Sequence, residues 1–331
     1  MTTSKYKSFN GFWLVLAAVF LMPAGIGKTY GQAGNSPGPQ TGEAKILLTA
    51  VDRNGQFVNT LRADDLKLFQ DGKPQAILSL YQISDRAVSL AILIDASASQ
   101  ERTLPAQKLA ATAFVETIIR PDRDRAAVAT FTGTLAIEQK LTNDISLLRQ
   151  AIARAKFVPP PGYVRGGLVI GPPPPKNRTP ASLASSTAVW NSVIETCRSV
   201  LAPAAIDTRR AIILLSDGWD TISQSKLSAA VDRAVQDGVA VYSVGIGEPE
   251  FGIDKDAMRK LSERTGGRAF FPKKISELTN IFAEIGQELR TQYVISFSSR
   301  PGAGRIKLEL GNPVLRSSGV QLSYQQFVSN N

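Results

Sequence analysis

The sequence contains no histidine and a single cysteine, Cys197, among its 331 residues. Without histidine the chain cannot build a Ser-His-Asp triad, a Cys-His dyad, or a zinc or haem site with histidine ligands. With one cysteine it can form neither an intrachain disulfide nor a cysteine-rich metal cluster. Any chemistry must therefore come from carboxylates, hydroxyls, lysines, or a hard cation held by oxygen ligands.

The rest of the composition is that of a globular protein, with 43% hydrophobic and 20% charged residues. The length fits one large domain or two smaller ones, since a domain typically takes ~100–200 residues. Lysine and arginine outnumber the acidic residues by 38 to 28, for a net charge of +10. A basic chain favours anionic partners. The basic residues are scattered and form no aromatic-basic module, so nucleic acid is not a predicted partner.

The N-terminal segment combines a basic start, an apolar run over residues 12–22, and the small residues Gly31 and Ala33. The run is shorter than the ~20 residues that a helix needs to cross a bilayer. The pattern predicts a secretory signal over residues 1–33, and the alternative is an uncleaved N-terminal anchor. A Gly- and Pro-rich linker is predicted at 34–44. The protein is thus expected to be exported, periplasmic or extracellular, with no integral membrane span in the mature chain.

A small β unit is predicted over residues 45–85. The dipeptides Asn54-Gly55 and Asp71-Gly72 separate apolar runs within it. Such dipeptides favour the tight turns of β-hairpins. The sequence therefore predicts two hairpins in this unit.

The C-terminal segment, residues 292–331, returns to β texture. Strands are predicted there at 293–299, 305–310 and 314–327. One interpretation is that these strands form a single unit with those near the N-terminus, so that everything between is one long insertion.

Between residues 86 and 291, apolar runs that suit buried strands alternate with stretches of helical periodicity. The run at 88–95 is continuously apolar, as in a strand covered on both faces. This alternation predicts a doubly wound, mostly parallel α/β sheet with helices on both sides. Strands are predicted at 88–95, 125–133, 134–141, 209–216, 239–247 and 267–271, and helices at 104–119, 144–156, 187–201, 224–237, 254–265 and 275–290.

A proline-rich segment at 159–180 interrupts this alternation and includes four consecutive prolines at 172–175. Consecutive prolines enforce polyproline II and exclude a core helix or strand. The segment is therefore predicted to be a long inserted loop, and loops of this length are usually functional or disordered.

Oxygen-bearing side chains follow the predicted buried strands at three places. Asp95, Ser97 and Ser99 come at the end of the first strand. Thr187 opens the helix after the proline-rich loop, and Asp217 closes a later strand. Because the carboxyl ends of parallel strands share one edge of a sheet, these side chains are expected to converge there. Two carboxylates and three hydroxyls suit Mg²⁺, Mn²⁺ or Ca²⁺, which prefer oxygen ligands.

The ordered fragments Asp-x-Ser-x-Ser, threonine and Asp-Gly resemble the metal-ion-dependent adhesion site of the von Willebrand factor type A family. Three further stretches are similar to secreted acidobacterial-type members: residues 63–75, 254–271 and 293–297. The resemblance covers residues 45–325. It implies a Rossmann-like von Willebrand factor type A fold for residues 86–291, flanked by a small β unit built from the N- and C-terminal segments.

The resemblance also implies a role for each site residue. Ser97, Ser99 and Thr187 would give hydroxyl oxygens to the cation, with Mg²⁺ expected and Ca²⁺ or Mn²⁺ as alternatives. Asp95 and Asp217 would bind it directly or through water. An Asp or Glu of a protein partner would complete the coordination.

The implied function is protein binding of an adhesion type, without enzymatic activity, and an anionic envelope polymer is a second candidate partner. Asp220 is expected either to orient a metal-bound water or to be solvated. The chain departs from the family at Ala98, where glycine is usual, and at Ser185-Ser186 before the threonine. If the metal loop needs a positive φ at either position, the site is expected to be distorted, because only glycine adopts a positive φ cheaply.

Two other functions fit the residues. One is a structural envelope or scaffold protein whose metal site is vestigial. The other is a Ser-Lys hydrolase, which would need a lysine with a depressed pKa beside an exposed serine. Lys108, in the helix after Ser97 and Ser99, is the nearest lysine that follows them.

Overall fold

The computed structural model describes residues 42–157, 159, 163–164, 168–169, 186–205, 208–247, 252–299, 304–324 and 326–328. All of them lie in the unit Pro39–Asn331. The predicted signal segment lies outside the described residues. Among the helices that are described, none has the length and apolar character needed to cross a membrane.

The strands and helices alternate along the middle of the chain and give way to strands at both ends. The strands are β1 (Gly42–Val51), β2 (Leu66–Gln70), β3 (Lys73–Gln75), β4 (Ile77–Ile83), β5 (Val88–Asp95), β6 (Arg125–Phe131), β7 (Leu135–Thr142), β8 (Tyr163–Val164), β9 (Leu168–Val169), β10 (Arg209–Ser216), β11 (Val239–Gly245), β12 (Ala269–Phe270), β13 (Gln292–Ser299), β14 (Gly304–Leu310), β15 (Gln321–Tyr324) and β16 (Phe327–Val328). The helices are α1 (Leu104–Ile118), α2 (Ile145–Arg154), α3 (Val189–Glu195, continued as a π-helix over Thr196–Leu201), α4 (Leu227–Gln236), α5 (Lys255–Arg264), α6 (Leu278–Arg290) and α7 (Pro313–Ser317).

The central sheet has six strands in the order β12-β11-β10-β5-β6-β7. Its strands run parallel except for β7, which returns antiparallel to β6. Every residue of β5 and of β11 is buried, because helices cover both faces. One face packs on α1, α2 and α6, and the other on α3, α4 and α5. The predicted doubly wound, mostly parallel sheet is confirmed.

The strands at the two ends of the chain pair with each other in two antiparallel sheets. Their orders are β15-β1-β13-β4 and β16-β14-β2-β3. A third hydrophobic cluster, which includes Leu48, Leu68 and Phe297, lies among these strands. The interpretation that both ends of the chain build one β unit around an inserted α/β segment is confirmed.

The two predicted hairpins differ in extent. Asp71 and Gly72 have φ values of 50° and 76° and join β2 to β3, as a type I′ turn requires. After the turn at Gly55, by contrast, the returning chain makes only an isolated bridge, between Val51 and Phe57.

The prediction of a strand over 314–327 was wrong at its start, where the chain forms the short helix α7. The side chain of Asn312 accepts a hydrogen bond from the N–H of Val314, and Pro313 takes the first helical position. This capping signal outweighs the β preference of the residues that follow. The strands β15 and β16 come only after the helix.

The predicted loop at 159–180 lies mostly outside the described residues. Within it, β8 pairs with β9 in a two-residue antiparallel ladder, the one strand pairing described in this segment.

Candidate metal centre

The carboxyl ends of β5 and β10 lie side by side at one edge of the central sheet. The two strands are parallel neighbours, and their register pairs Ile94 with Leu215. The next residues, Asp95 and Ser216, are therefore adjacent. The Ser216 hydroxyl donates a hydrogen bond of 2.6 Å to Asp95 Oδ2.

The loop after β5 folds back on itself and brings the two predicted serines to the same edge. Asp95 is fully buried, and its Oδ1 accepts a hydrogen bond of 3.0 Å from the N–H of Ser97. A single 3₁₀ turn over Ala98–Gln100 follows. It places Ser97 Oγ 3.2 Å from Ser99 Oγ. The Ser99 hydroxyl in turn donates to Asp217 Oδ2 at 2.6 Å.

Ala98 takes the place of the family's usual glycine without strain. Among the described non-glycine residues, only Asp71 and Asp85 have a positive φ. Ala98 and Ser186 therefore have ordinary backbone conformations that any residue can adopt. Ser185 lies outside the described residues.

Asp217 is held by the turn that follows it. Its Oδ1 accepts a hydrogen bond of 3.1 Å from the N–H of Trp219, and its backbone carbonyl accepts one of 2.8 Å from Asp254. Gly218, which lies between Asp217 and Trp219, has a φ of 82°, and a Cβ added to it would lie 2.7 Å from Met258 Cγ. Glycine is thus required by both conformation and space.

Thr187 lies at the same edge, between the loops that follow β6 and β10. Its N–H donates to Thr221 Oγ1 at 2.7 Å, and its carbonyl accepts from the N–H of Thr221 at 2.8 Å. The next residue, Ala188, donates its N–H to the carbonyl of Thr132. The structure thus joins Asp95, Ser97, Ser99 and Asp217 by direct hydrogen bonds. The described hydrogen bonds of Thr187 go instead to the loop after β10, and those of the next residue to the loop after β6.

Asp220 stabilises the start of α3. Its Oδ1 accepts hydrogen bonds from the Ser223 hydroxyl at 2.6 Å and from the N–H of Trp190 at 3.3 Å. These bonds tie the loop after β10 to the helix that begins just after Thr187. A role of Asp220 toward a metal-bound water stays a prediction.

Two further residues shape the site, and the sequence analysis missed both. Ser216 holds Asp95, and Gln100 donates from Nε2 to Asp217 Oδ2 at 2.8 Å. The Gln100 Oε1 accepts hydrogen bonds of 2.6 Å from the Thr103 hydroxyl and from Gln107 Nε2. Both residues are fully buried. The one feature of the sequence that could have indicated them is their position, since Ser216 directly precedes Asp217 and Gln100 directly follows Ser99.

The two carboxylates share a buried environment. Burial, together with the nearby Asp217 carboxylate, raises the pKa of Asp95 to about 7, against the lowering effect of hydrogen bonds from Ser216 and Ser97. Burial also raises the pKa of Asp217. Among the described residues, neither carboxylate forms an ion pair with a lysine or arginine. A divalent cation would supply the missing positive charge.

The donor set fits such a cation. All five predicted side chains offer oxygen, the ligand that Mg²⁺ and Ca²⁺ prefer. Nowhere in the described ranges do three or more Asp, Glu or Cys side chains gather so that they could hold a metal. A cation at this edge would therefore depend on the hydroxyls as well as on Asp95 and Asp217.

The family model for the von Willebrand factor type A domain matches residues 181–284, a span that includes Thr187 and Asp217. The chain therefore contains a von Willebrand factor type A domain. No curated protein matches the chain in sequence.

Several solved structures are similar in fold. BatB from Bacteroides thetaiotaomicron has 17% identity and a TM-score of 0.46, over 61% of this chain and 98% of its own. A von Willebrand factor type A protein from Catenulispora acidiphila has 14% identity and a TM-score of 0.48, over 90% and 74%. Proximal thread matrix protein 1 from the mussel byssus, with a zinc-occupied MIDAS motif, has 15% identity and a TM-score of 0.48, over 65% and 49%.

Proposed function

We propose that this protein is an exported binding module that engages an acidic side chain of a protein partner through a divalent cation, without turnover. The residues proposed to hold the cation are Asp95, Ser97, Ser99, Thr187 and Asp217. One observation carries the proposal: the bond from Ser99 to Asp217, which joins the ends of β5 and β10. Export rests on the pattern of the N-terminal segment.

The coordination that the site offers supports an acidic partner. Two ionised carboxylates would balance a divalent cation, and hydroxyl ligands add no charge. A cage with so few anionic ligands would leave coordination positions for water or for an incoming carboxylate. The positive net charge of the chain would help to attract such a partner.

The contacts of Lys108 favour binding over hydrolysis. Its Nζ donates to the backbone carbonyls of Ala153 and Ala155, at the end of α2. It is therefore engaged away from Ser97 and Ser99, where a Ser-Lys hydrolase would need it. The proposal accordingly assigns no catalytic residue.

Calorimetric titration of the purified protein with Mg²⁺ or Mn²⁺ tests the cation. Asp95→Asn keeps the shape of the side chain and removes its charge, so metal binding should be lost. Asp144→Asn is the matched control. Asp144 caps α2 with its side chain, and asparagine caps a helix equally well. Equal metal binding by wild type and Asp95→Asn would contradict the proposed centre.

An immobilised peptide, acetyl-Gly-Gly-Asp-Gly-Gly-amide, tests the acidic partner. The protein should bind it in Mg²⁺ and not in EDTA at the same ionic strength. The same peptide with asparagine in place of aspartate should not bind. Equal binding in Mg²⁺ and EDTA would show attraction by net charge alone and would contradict the mechanism.

A further inference from the structure

The loop after β10 exposes an aromatic side chain next to the candidate metal centre. Trp219 follows Asp217 by two residues and is 48% exposed. The other described tryptophan, Trp190, is 8% exposed. Isolated exposed apolar side chains are ordinary on a protein surface. What sets Trp219 apart is its position directly beside the proposed binding site.

The loop holds the backbone of Trp219 in place on both sides. On one side, the left-handed turn at Gly218 packs against Met258, and the N–H of Trp219 is bonded to Asp217 Oδ1. On the other side, the N–H of Thr221 is bonded to the carbonyl of Thr187. A rigidly presented aromatic side chain loses little conformational entropy on binding.

Tryptophan at such a position is typical of a binding anchor. Residues that dominate binding energy are enriched in tryptophan and lie near the centre of an interface. A partner that places a carboxylate at the edge where Asp217 lies would bring its neighbouring residues close to Trp219. The indole then has apolar area to bury against them.

We propose that Trp219 is a specificity-determining residue that packs on an apolar side chain next to the partner's acidic residue. The inference rests on the proposed function and narrows it. The partner class becomes a protein segment in which Asp or Glu is flanked by residues such as leucine or phenylalanine.

The apolar surface of the indole argues for an apolar flanking residue over a charged one. A leucine or phenylalanine side chain buries apolar area against the ring and gives up no hydration of a charge. The charged side chains near this edge are of both signs, since Lys255 lies between Asp254 and Asp256 in the sequence, so they favour neither a cationic nor an anionic flanking residue.

Three peptides test the inference on the full chain in Mg²⁺: acetyl-Gly-Leu-Asp-Leu-Gly-amide, acetyl-Gly-Gly-Asp-Gly-Gly-amide and acetyl-Gly-Lys-Asp-Lys-Gly-amide. The wild type should bind the leucine peptide about five- to tenfold more tightly than the glycine peptide. Trp219→Ala should bring that ratio close to one, whereas Trp219→Phe, which keeps an aromatic ring, should retain most of it. The tryptophan emission of the wild type should shift to shorter wavelength with the leucine peptide.

Val314→Ala is the matched control, because Val314 is a more exposed apolar side chain, at 71%, on α7 in the β unit. The ratio of its affinities for the leucine and glycine peptides should equal that of the wild type. Circular dichroism verifies that each variant is folded.

The outcomes separate this inference from the proposed function. If the glycine peptide binds in Mg²⁺ and not in EDTA, but Trp219→Ala keeps the wild-type ratio or the lysine peptide binds most tightly, the role of Trp219 is overturned alone. If the wild type binds the leucine and glycine peptides equally tightly, the role of Trp219 is likewise overturned while the proposed function stands. If no peptide binds in a metal-dependent way, both proposals fail.

Discussion

Replacing Gly218 by alanine should destabilise the protein and deform the metal centre. Gly218 has a φ of 82°, which costs a residue with a Cβ about 1–2 kcal/mol. The added Cβ would also lie 2.7 Å from Met258 Cγ and 3.1 Å from the carbonyl oxygen of Asp254. Met258 is fully buried, so it cannot move into solvent, and such overpacking costs a further ~1–3 kcal/mol. The expected loss in the free energy of unfolding is therefore about 2–5 kcal/mol.

Gly238→Ala provides the matched comparison for this prediction. Gly238 also has a positive φ, 65°, but a Cβ there would meet nothing within 4 Å. Its substitution should cost only the conformational part, about 1–2 kcal/mol. Urea unfolding followed by circular dichroism measures both variants, and calorimetry measures their affinity for Mg²⁺. If Gly218→Ala is no more destabilising than Gly238→Ala, the argument from the Met258 contact is refuted.

Three further predictions concern buried polar groups. Because the pKa of Asp95 is raised to about 7 in the folded, metal-free protein, the folded state holds its proton where the unfolded state has lost it. The free energy of unfolding of the wild type, compared with that of Asp95→Asn, should thus fall by about 1 kcal/mol per pH unit as the pH rises from 4 to 7 in EDTA. Urea unfolding at several pH values measures this difference, and a difference that does not change with pH would contradict the prediction. Ser216→Ala removes the hydroxyl that donates to Asp95 Oδ2 and should weaken Mg²⁺ binding ~10-fold or more in calorimetry. An unchanged affinity would show that this hydrogen bond does not orient the carboxylate. Asp124→Ala should lower the free energy of unfolding by about 3 kcal/mol, because the buried carboxylate accepts hydrogen bonds from Arg290 and from the N–H of Val88. Asp122→Ala, which removes a carboxylate that is 68% exposed, should leave the free energy of unfolding almost unchanged. Equal losses for the two variants in thermal or urea unfolding would contradict the stabilising role of Asp124.

The sequence predicted the central sheet well because its strands are continuous apolar runs with clear ends. The predicted bounds 88–95 and 209–216 coincide with those of β5 and β10. In each case a carboxylate ends the run, since Asp95 closes the first and Asp217 follows the second. The expected convergence of these residues followed from parallel strands sharing one edge.

Features that depend on three-dimensional register could not be predicted in the same way. The contact between Ser216 and Asp95 arises from the pairing of β5 with β10, and no local pattern specifies that register. The role of Gln100 likewise depends on the 3₁₀ turn that points its amide at Asp217. The helix α7 was missed for a different reason, because its Asn-Pro capping signal is short and stands within a stretch of β preference.

The position of a bound cation tests the central claim most directly. Crystals of the protein grown or soaked with Mn²⁺ can be measured at a wavelength where manganese scatters anomalously. The account predicts an anomalous peak at the edge where β5 and β10 end, with oxygens of Ser97, Ser99 and Thr187 about 2–2.6 Å away. An absent peak in saturating Mn²⁺, or one far from Asp95 and Asp217, would contradict it.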